Sequence, residues 1–263
     1  MATGSAFGVR AFDCDISAEA GCPETYAILE RYVFPSLPRA AGTSNHPDIS
    51  VRLIRVEEQY QLWADGAFVA SACRAVELVP EIIRVLDEAV IIRLTTRRAI
   101  HAGAVLWNGQ ALLLPGATHS GKSSLVAELL KRGATYFSDE YALIDSEGCV
   151  HPYPRPLLLR NDSLEQFPVL PSEWNAPVGD TPAPVGWMMS LRHQSPSAWS
   201  VVAISQGEAL LTLLRNTPHI LADSPDLIQR FQRAVASATC YAGGCPEVPQ
   251  AVDQILRLVN STT

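Results

Sequence analysis

The sequence predicts a mixed α/β fold: a small N-terminal α+β lobe, residues 1–97, then a larger α/β domain, residues 98–263, closed by C-terminal helices. Three observations predict it. A glycine-rich loop, residues 116–123, stands between a short apolar run and a run with helical apolar spacing. Two Asx-Gly pairs, Asp65-Gly66 and Asn108-Gly109, each separate alternating apolar stretches and read as hairpin turns. Amphipathic helical patterns then end the chain.

In the first lobe, residues 23–37 read as a short helix broken by Pro35 and Pro38, and residues 42–47 as a loop. Ile49, Val51 and Leu53 alternate with polar residues. With residues 61–64 and 67–72 around Asp65-Gly66 they predict an antiparallel meander. Pro80 suits the first turn of a helix whose apolar face is Ile82, Ile83, Leu86, Val90 and Leu94. Residues 1–7, small and polar, are expected to be disordered.

In the second domain, residues 104–107 and 111–114 flank Asn108-Gly109 as a hairpin. The glycine loop and a helix stopped at Gly133 follow. Residues 135–138 and 141–144 read as core strands around Asp139-Glu140. Residues 161–184 are proline-rich and irregular, and residues 186–193 and 199–205 read as strands. Ser205 and Glu208 form a capping box for a helix through Leu214. Ser224-Pro225 opens one of two last helices, and residues 247–259 form the other. Cys240 and Cys245 read as two buried small residues around a Tyr-Ala-Gly-Gly turn.

The loop reads Gly116-Ala117-Thr118-His119-Ser120-Gly121-Lys122-Ser123, a full match to the Walker A pattern G-x-x-x-x-G-K-[ST]. Gly116 and Gly121 let the backbone curl so that successive N–H groups face phosphate oxygens. The N-terminus of the helix adds its positive end. Lys122 would lie along the terminal phosphates and the Ser123 hydroxyl would ligate Mg²⁺, with Ser124 completing the cradle. The expectation is therefore a nucleoside triphosphate site, with ATP and Mg²⁺ as its ligands. A glycine turn that ends in Lys-Ser is the alternative.

Transfer needs a second half. Asp139 can accept a hydroxyl proton, and Glu140 can hold the metal or a metal-bound water. An acidic turn between two strands is the alternative. Asp145 is a rival acid, but Ser146-Glu147-Gly148 after it looks like a hairpin tip. His101 enters the strand antiparallel to the one feeding the loop, so its side chain could reach the γ-phosphate region; a satisfied structural histidine is the alternative. Arg155, fixed between Pro154 and Pro156, ranks above Arg160 as a cation for equatorial phosphoryl oxygens. Arg215 and Asn216, just past a helix, are further candidates.

Composition bounds the function classes. The chain has 263 residues, 48% hydrophobic, with net charge −7. That is enough for a sizeable core, and the absence of a basic run argues against nucleic acid as a partner. No signal-peptide pattern or bilayer-length apolar run is present, so no membrane partner is expected. The six cysteines form neither C-x-x-C nor a zinc spacing, which fits a reducing cytoplasm.

Taken in order, His101-Ala102-Gly103, the Walker A loop, Lys131-Arg132-Gly133 and Ser138-Asp139-Glu140 resemble the HPr kinase/phosphorylase family, above all its shorter relatives such as lasso-peptide tailoring kinases. The match covers residues 100–160. The resemblance implies a P-loop kinase domain of the HPr kinase / phosphoenolpyruvate carboxykinase type, with Asp139 as general base and His101 near the phosphates. Two positions depart from the pattern: Glu140 replaces a second Asp, and Ser124 replaces an acidic residue after Lys-Ser. No copy of the HPr enzyme's downstream glycine-rich loop is evident, which argues against an HPr substrate. HPr-type relatives form hexamers, so a homo-oligomer is one option.

The leading reading is a kinase acting on a Ser or Thr hydroxyl of a peptide or protein. The alternatives are a kinase of a small-molecule alcohol and, from another class, a nucleotide-binding regulatory protein without transfer.

Overall fold

Alternating small apolar residues carry the first sheet. The structure, a computed structural model, describes residues 5–41, 46–116, 120–161, 163–193, 198–218 and 226–261. It divides into two compact units, Met1–Thr95 with Leu158–Val169, and Thr96–Leu157 with Leu170–Thr263.

The first unit opens with β1 (Ser5–Ala11) and β2 (Cys14–Ala20), an antiparallel hairpin. Residues 5–7 are therefore strand rather than disordered. Phe7, Val9, Ile16 and Ala18 are buried, and the alternation is the half-buried pattern that a sheet rewards. The turn needs a left-handed residue, supplied by Phe12 at φ 56°. Helix α1 (Pro23–Tyr32) starts on Pro23 and buries Thr25, Leu29 and Tyr32 at helical spacing. Short β3 (Arg39–Ala41) pairs with β1.

β4 (Ile49–Val56), β5 (Gln59–Ala64) and β6 (Ala67–Ala72) form the expected antiparallel meander. Asp65 and Gly66 both take positive φ, as a primed turn requires. β4 runs parallel to β2, which gives the sheet order β3-β1-β2-β4-β5-β6. Helix α2 (Val79–Ile91) buries Ile82, Ile83, Leu86 and Val90, and Leu94 lies beyond its end.

The second unit is a mixed eight-stranded sheet. β7 (Arg98–Trp107) and β8 (Gln110–Pro115) form the hairpin predicted at Asn108-Gly109, with both turn residues at positive φ. Helix α3 (Lys122–Lys131) follows the loop, and Gly133 ends it at φ 96°. β9 (Thr135–Ser138) and β10 (Tyr141–Ile144) both run antiparallel to β7, end to end along one side of it. β11 (Val150–His151) extends that edge.

β12 (Leu157–Arg160) and β13 (Gln166–Val169) pair as a small hairpin, and residues 158–169 count with the first unit. Back in the second unit, β14 (Val185–His193) runs parallel to β8. β15 (Ser200–Ala203) forms an antiparallel edge. Helix α4 (Gln206–Arg215) carries the predicted capping box, with Ser205 Oγ accepting from the Glu208 amide. Helix α5 (Leu227–Val235) comes next; Ser224-Pro225 lies outside the described residues.

β16 (Thr239–Cys245) corrects the sequence reading. The Cys240–Cys245 segment is a strand parallel to β14 and not a turn, although both thiols are buried as expected. Gly243 is required there, because a Cβ would fall 2.3 Å from the Ser200 carbonyl oxygen. Helix α6 (Val248–Ser261) ends the described chain. All six cysteines are free.

Helices cover both faces of this sheet. Ile100, Ala102 and Ala104 of β7 join a core with Ala209 and Leu213 of α4 and Phe231 and Ala234 of α5. Gly103, on the opposite face by strand alternation, lies under α3. Against α3 packs α6, tied by an Arg132–Asp253 ion pair at 2.7 Å. No helix among the described residues is long and apolar enough to cross a membrane.

Candidate functional site

The site is assembled by register on β7. On one side, Ala102 pairs with Pro115, the last residue of β8, and Gly116 donates its amide to the His101 carbonyl at 3.2 Å. On the other side, Tyr141 pairs with His101, and Ala102 donates to the Glu140 carbonyl at 3.0 Å. His101, the start of the glycine loop and the acidic pair thus share one short stretch of strand.

The described ends of the loop turn the chain tightly into a helix. A Cβ on Gly116 would meet Ser120 Oγ at 2.7 Å, so a side chain there would displace the Ser120 hydroxyl. Gly121 is left-handed, φ 86°, and serves as N-cap of α3. The first amides of α3 have no acceptors within the helix. Among the described residues Ser120 Oγ is buried with no hydrogen-bond partner. An orphaned hydroxyl beside a helix N-terminus fits an anionic ligand. Lys122 is buried, Ser123 half-buried and Ser124 exposed. Ala117, Thr118 and His119 lie outside the described residues.

Close packing holds the loop's helix against the strand. A Cβ on Gly103 would fall 2.7 Å from Val126 Cγ2 of α3. That approach brings the start of α3 down over β7, toward the acidic pair.

Asp139 and Glu140 sit in a bend between β9 and β10. Ser138 Oγ spans it, accepting from the Tyr141 amide at 3.2 Å. The two carboxylates differ sharply. Asp139 is fully buried, with Oδ1 3.2 Å from Arg155 Nη2 and 3.3 Å from the Tyr136 hydroxyl. Glu140 keeps a side-chain exposure of 23%, and its Oε1 is 3.3 Å from His101 Nδ1.

Arg155, 4% exposed, is fixed by backbone as well. Its amide donates to the Tyr153 carbonyl at 2.9 Å, and Tyr153 donates to Phe137 of β9 at 2.8 Å. The Tyr136 hydroxyl also lies 2.9 Å from the Arg155 carbonyl oxygen.

The charges act on one another. Burial pushes the Lys122 ammonium below its ordinary value; Glu140 and Asp139 oppose that shift and Arg155 adds to it. Burial pushes the Glu140 carboxyl up, but contact with His101 and the fields of Arg155 and Lys122 outweigh it. Glu140 is therefore held ionised below its ordinary value.

Among solved structures, the chain is similar to the HPr(Ser) kinase/phosphatase from Coxiella burnetii. The identity is 14% and the TM-score 0.35, over 61% of this chain and 97% of that one. No family model matches the chain, and no curated protein does. With so loose a superposition, the site's own residues carry the chemistry.

The other candidates fall differently. Asp145 is the expected turn residue, with Oδ1 accepting from the Glu147 and Cys149 amides, both at 2.9 Å. Arg160 donates to the Leu164 carbonyl within residues 158–169. Arg215 is exposed, whereas the Asn216 carbonyl accepts from the His101 amide at 2.6 Å, where β8 has turned away into the loop. Tyr136 was missed. In sequence it reads as a core strand residue, and only the fold shows its hydroxyl joining Asp139 to Arg155. Among the described residues no group of three or more His, Cys, Asp or Glu side chains could hold a metal ion.

Proposed function

We propose that this chain transfers the γ-phosphoryl group of ATP to a Ser or Thr hydroxyl of a peptide or protein. The observation that carries the reading is the shared register on β7, with the glycine loop on one side of residues 101–103 and the acidic pair on the other. A phosphate cradle alone makes a binder. A cradle set beside an ionised, partly open carboxylate and a histidine is the arrangement in-line transfer needs.

In this reading Gly116, Ser120, Gly121 and the first amides of α3 hold the phosphates. Lys122 neutralises them, and Ser123 with Glu140 holds Mg²⁺. Bound ATP and Mg²⁺ supply the transferable group and neutralise charge as it develops. One carboxylate of the acidic pair receives the proton of the acceptor hydroxyl, and His101 supports it.

The test is a titration with MgATP followed by an acceptor screen read as phosphate-shifted mass. Lys122→Ala should abolish nucleotide binding. Unchanged affinity in that variant would remove the nucleotide site altogether. ATP binding with no acceptor-dependent ADP release would leave a regulatory binder.

A further inference from the structure

We propose that Asp139 is a positioning residue, which with Tyr136 anchors Arg155 as a second cation of the phosphate site beside Lys122. The proposal rests on the nucleotide reading above and divides the acidic pair into two jobs.

Three observations carry it. Asp139 is fully buried, and its Oδ1 is engaged by Arg155 at 3.2 Å and approached by the Tyr136 hydroxyl at 3.3 Å. An acceptor hydroxyl has no open path to that oxygen, whereas Glu140 next to it is partly exposed. Arg155 is 4% exposed and is held through side chain, amide and carbonyl. Surface arginines are not built this way. A guanidinium fixed at several points is pre-organised for phosphoryl oxygens. The bend that holds Asp139 stands opposite Ala102-Gly103 of β7, and a Cβ on Gly103 would lie 3.8 Å from Lys122 Cβ.

Burying a charged pair is costly, and an apolar pair of the same shape is often at least as stable. Keeping the pair in the bend that carries Glu140 therefore points to use of the cation. The single Tyr136 hydroxyl proton cannot serve Asp139 and the Arg155 carbonyl at once. The hydroxyl stands within reach of both the carboxylate and the arginine carbonyl, 3.3 Å and 2.9 Å away, and donates to one of them at a time.

The experiment is a double-mutant cycle on MgATP affinity, measured with a fluorescent ATP analogue on the full chain. Thermal unfolding without nucleotide serves as the fold control. Arg155→Met and Asp139→Asn should each weaken affinity about tenfold. In the Arg155→Met background, Asp139→Asn should cause no further loss. A residue with only a structural role would cost the same in both backgrounds. Tyr136→Phe, which removes one hydroxyl and keeps the ring, should weaken affinity in the same direction if Asp139→Asn fails to fold.

Additive effects in the cycle overturn the proposal, as does a Tyr136→Phe variant that binds MgATP like the parent. Neither result touches the nucleotide site itself, which stands or falls on Lys122→Ala.

Discussion

His101 Nδ1 on β7 and Glu140 Oε1 in the bend beside it lie 3.3 Å apart, at the point where the glycine loop leaves the sheet. Glu140→Gln keeps the shape of that contact and removes its charge. Transfer to an acceptor, read as phosphate-shifted mass, should fall on the order of a hundredfold. Transfer at the parental rate would take the pair out of the chemistry.

Gly103 couples the loop's helix to the strand beneath it. Gly103→Ala places a methyl 2.7 Å from Val126 Cγ2, on a buried and β-branched side chain. The expected cost is about 1–3 kcal/mol in urea unfolding, because a stiff neighbour must move. MgATP affinity should drop with it, since α3 carries Lys122. Parental stability would mean that the approach is looser than described.

Ser205 anchors the helix that ends at the site. Its Oγ accepts from the Glu208 amide and its own amide donates to Glu208 Oε2 at 2.9 Å, while the far end of α4 supplies the carbonyl that receives the His101 amide. Ser205→Ala should cost about 1 kcal/mol. Equilibrium denaturation measures it, and no change would mean that packing alone fixes α4.

Asp145 offers a pH test away from the site. Burial pushes its carboxyl up, but His151 at 2.8 Å and the Cys149 and Glu147 amides outweigh burial, so the net shift is downward. A depressed carboxyl contributes stability that is fully present above its unfolded value, about 4, and is lost as pH falls through the folded value. Asp145→Asn should therefore destabilise the chain near neutral pH and match the parent in strong acid. A pH-independent difference would show that ionisation plays no part.

How far the sequence foretold this depends on where the information lies. The Asn108-Gly109 hairpin, the meander, the capped helix at Ser205 and the strand–loop–helix at residue 116 are written locally, in turn residues and periodicity. The β1–β2 hairpin was not, because its turn uses Phe12 rather than glycine. Nor was β16, where Gly243 and Gly244 look like a turn but lie in a strand, Gly243 serving the close approach of β15. At the site, the residue types were legible and the division of labour was not. Asp139 and Glu140 are neighbours in sequence, yet one is sealed against Arg155 and the other faces His101. That contrast comes from Tyr136 and residues 153–156, which only folding brings there.

Ser138 opposes Ala104, and Tyr141 opposes His101. Two residues lie between those pairs on each strand: Asp139-Glu140 on one, Ala102-Gly103 on the other. The acidic pair is thus a spacer of fixed length as well as a pair of charges. One residue more or fewer would slide Tyr141–Ile144 along β7 and exchange the two buried faces that their side chains fill. Substitution can retune the chemistry at this step, but a change of length would unseat the sheet.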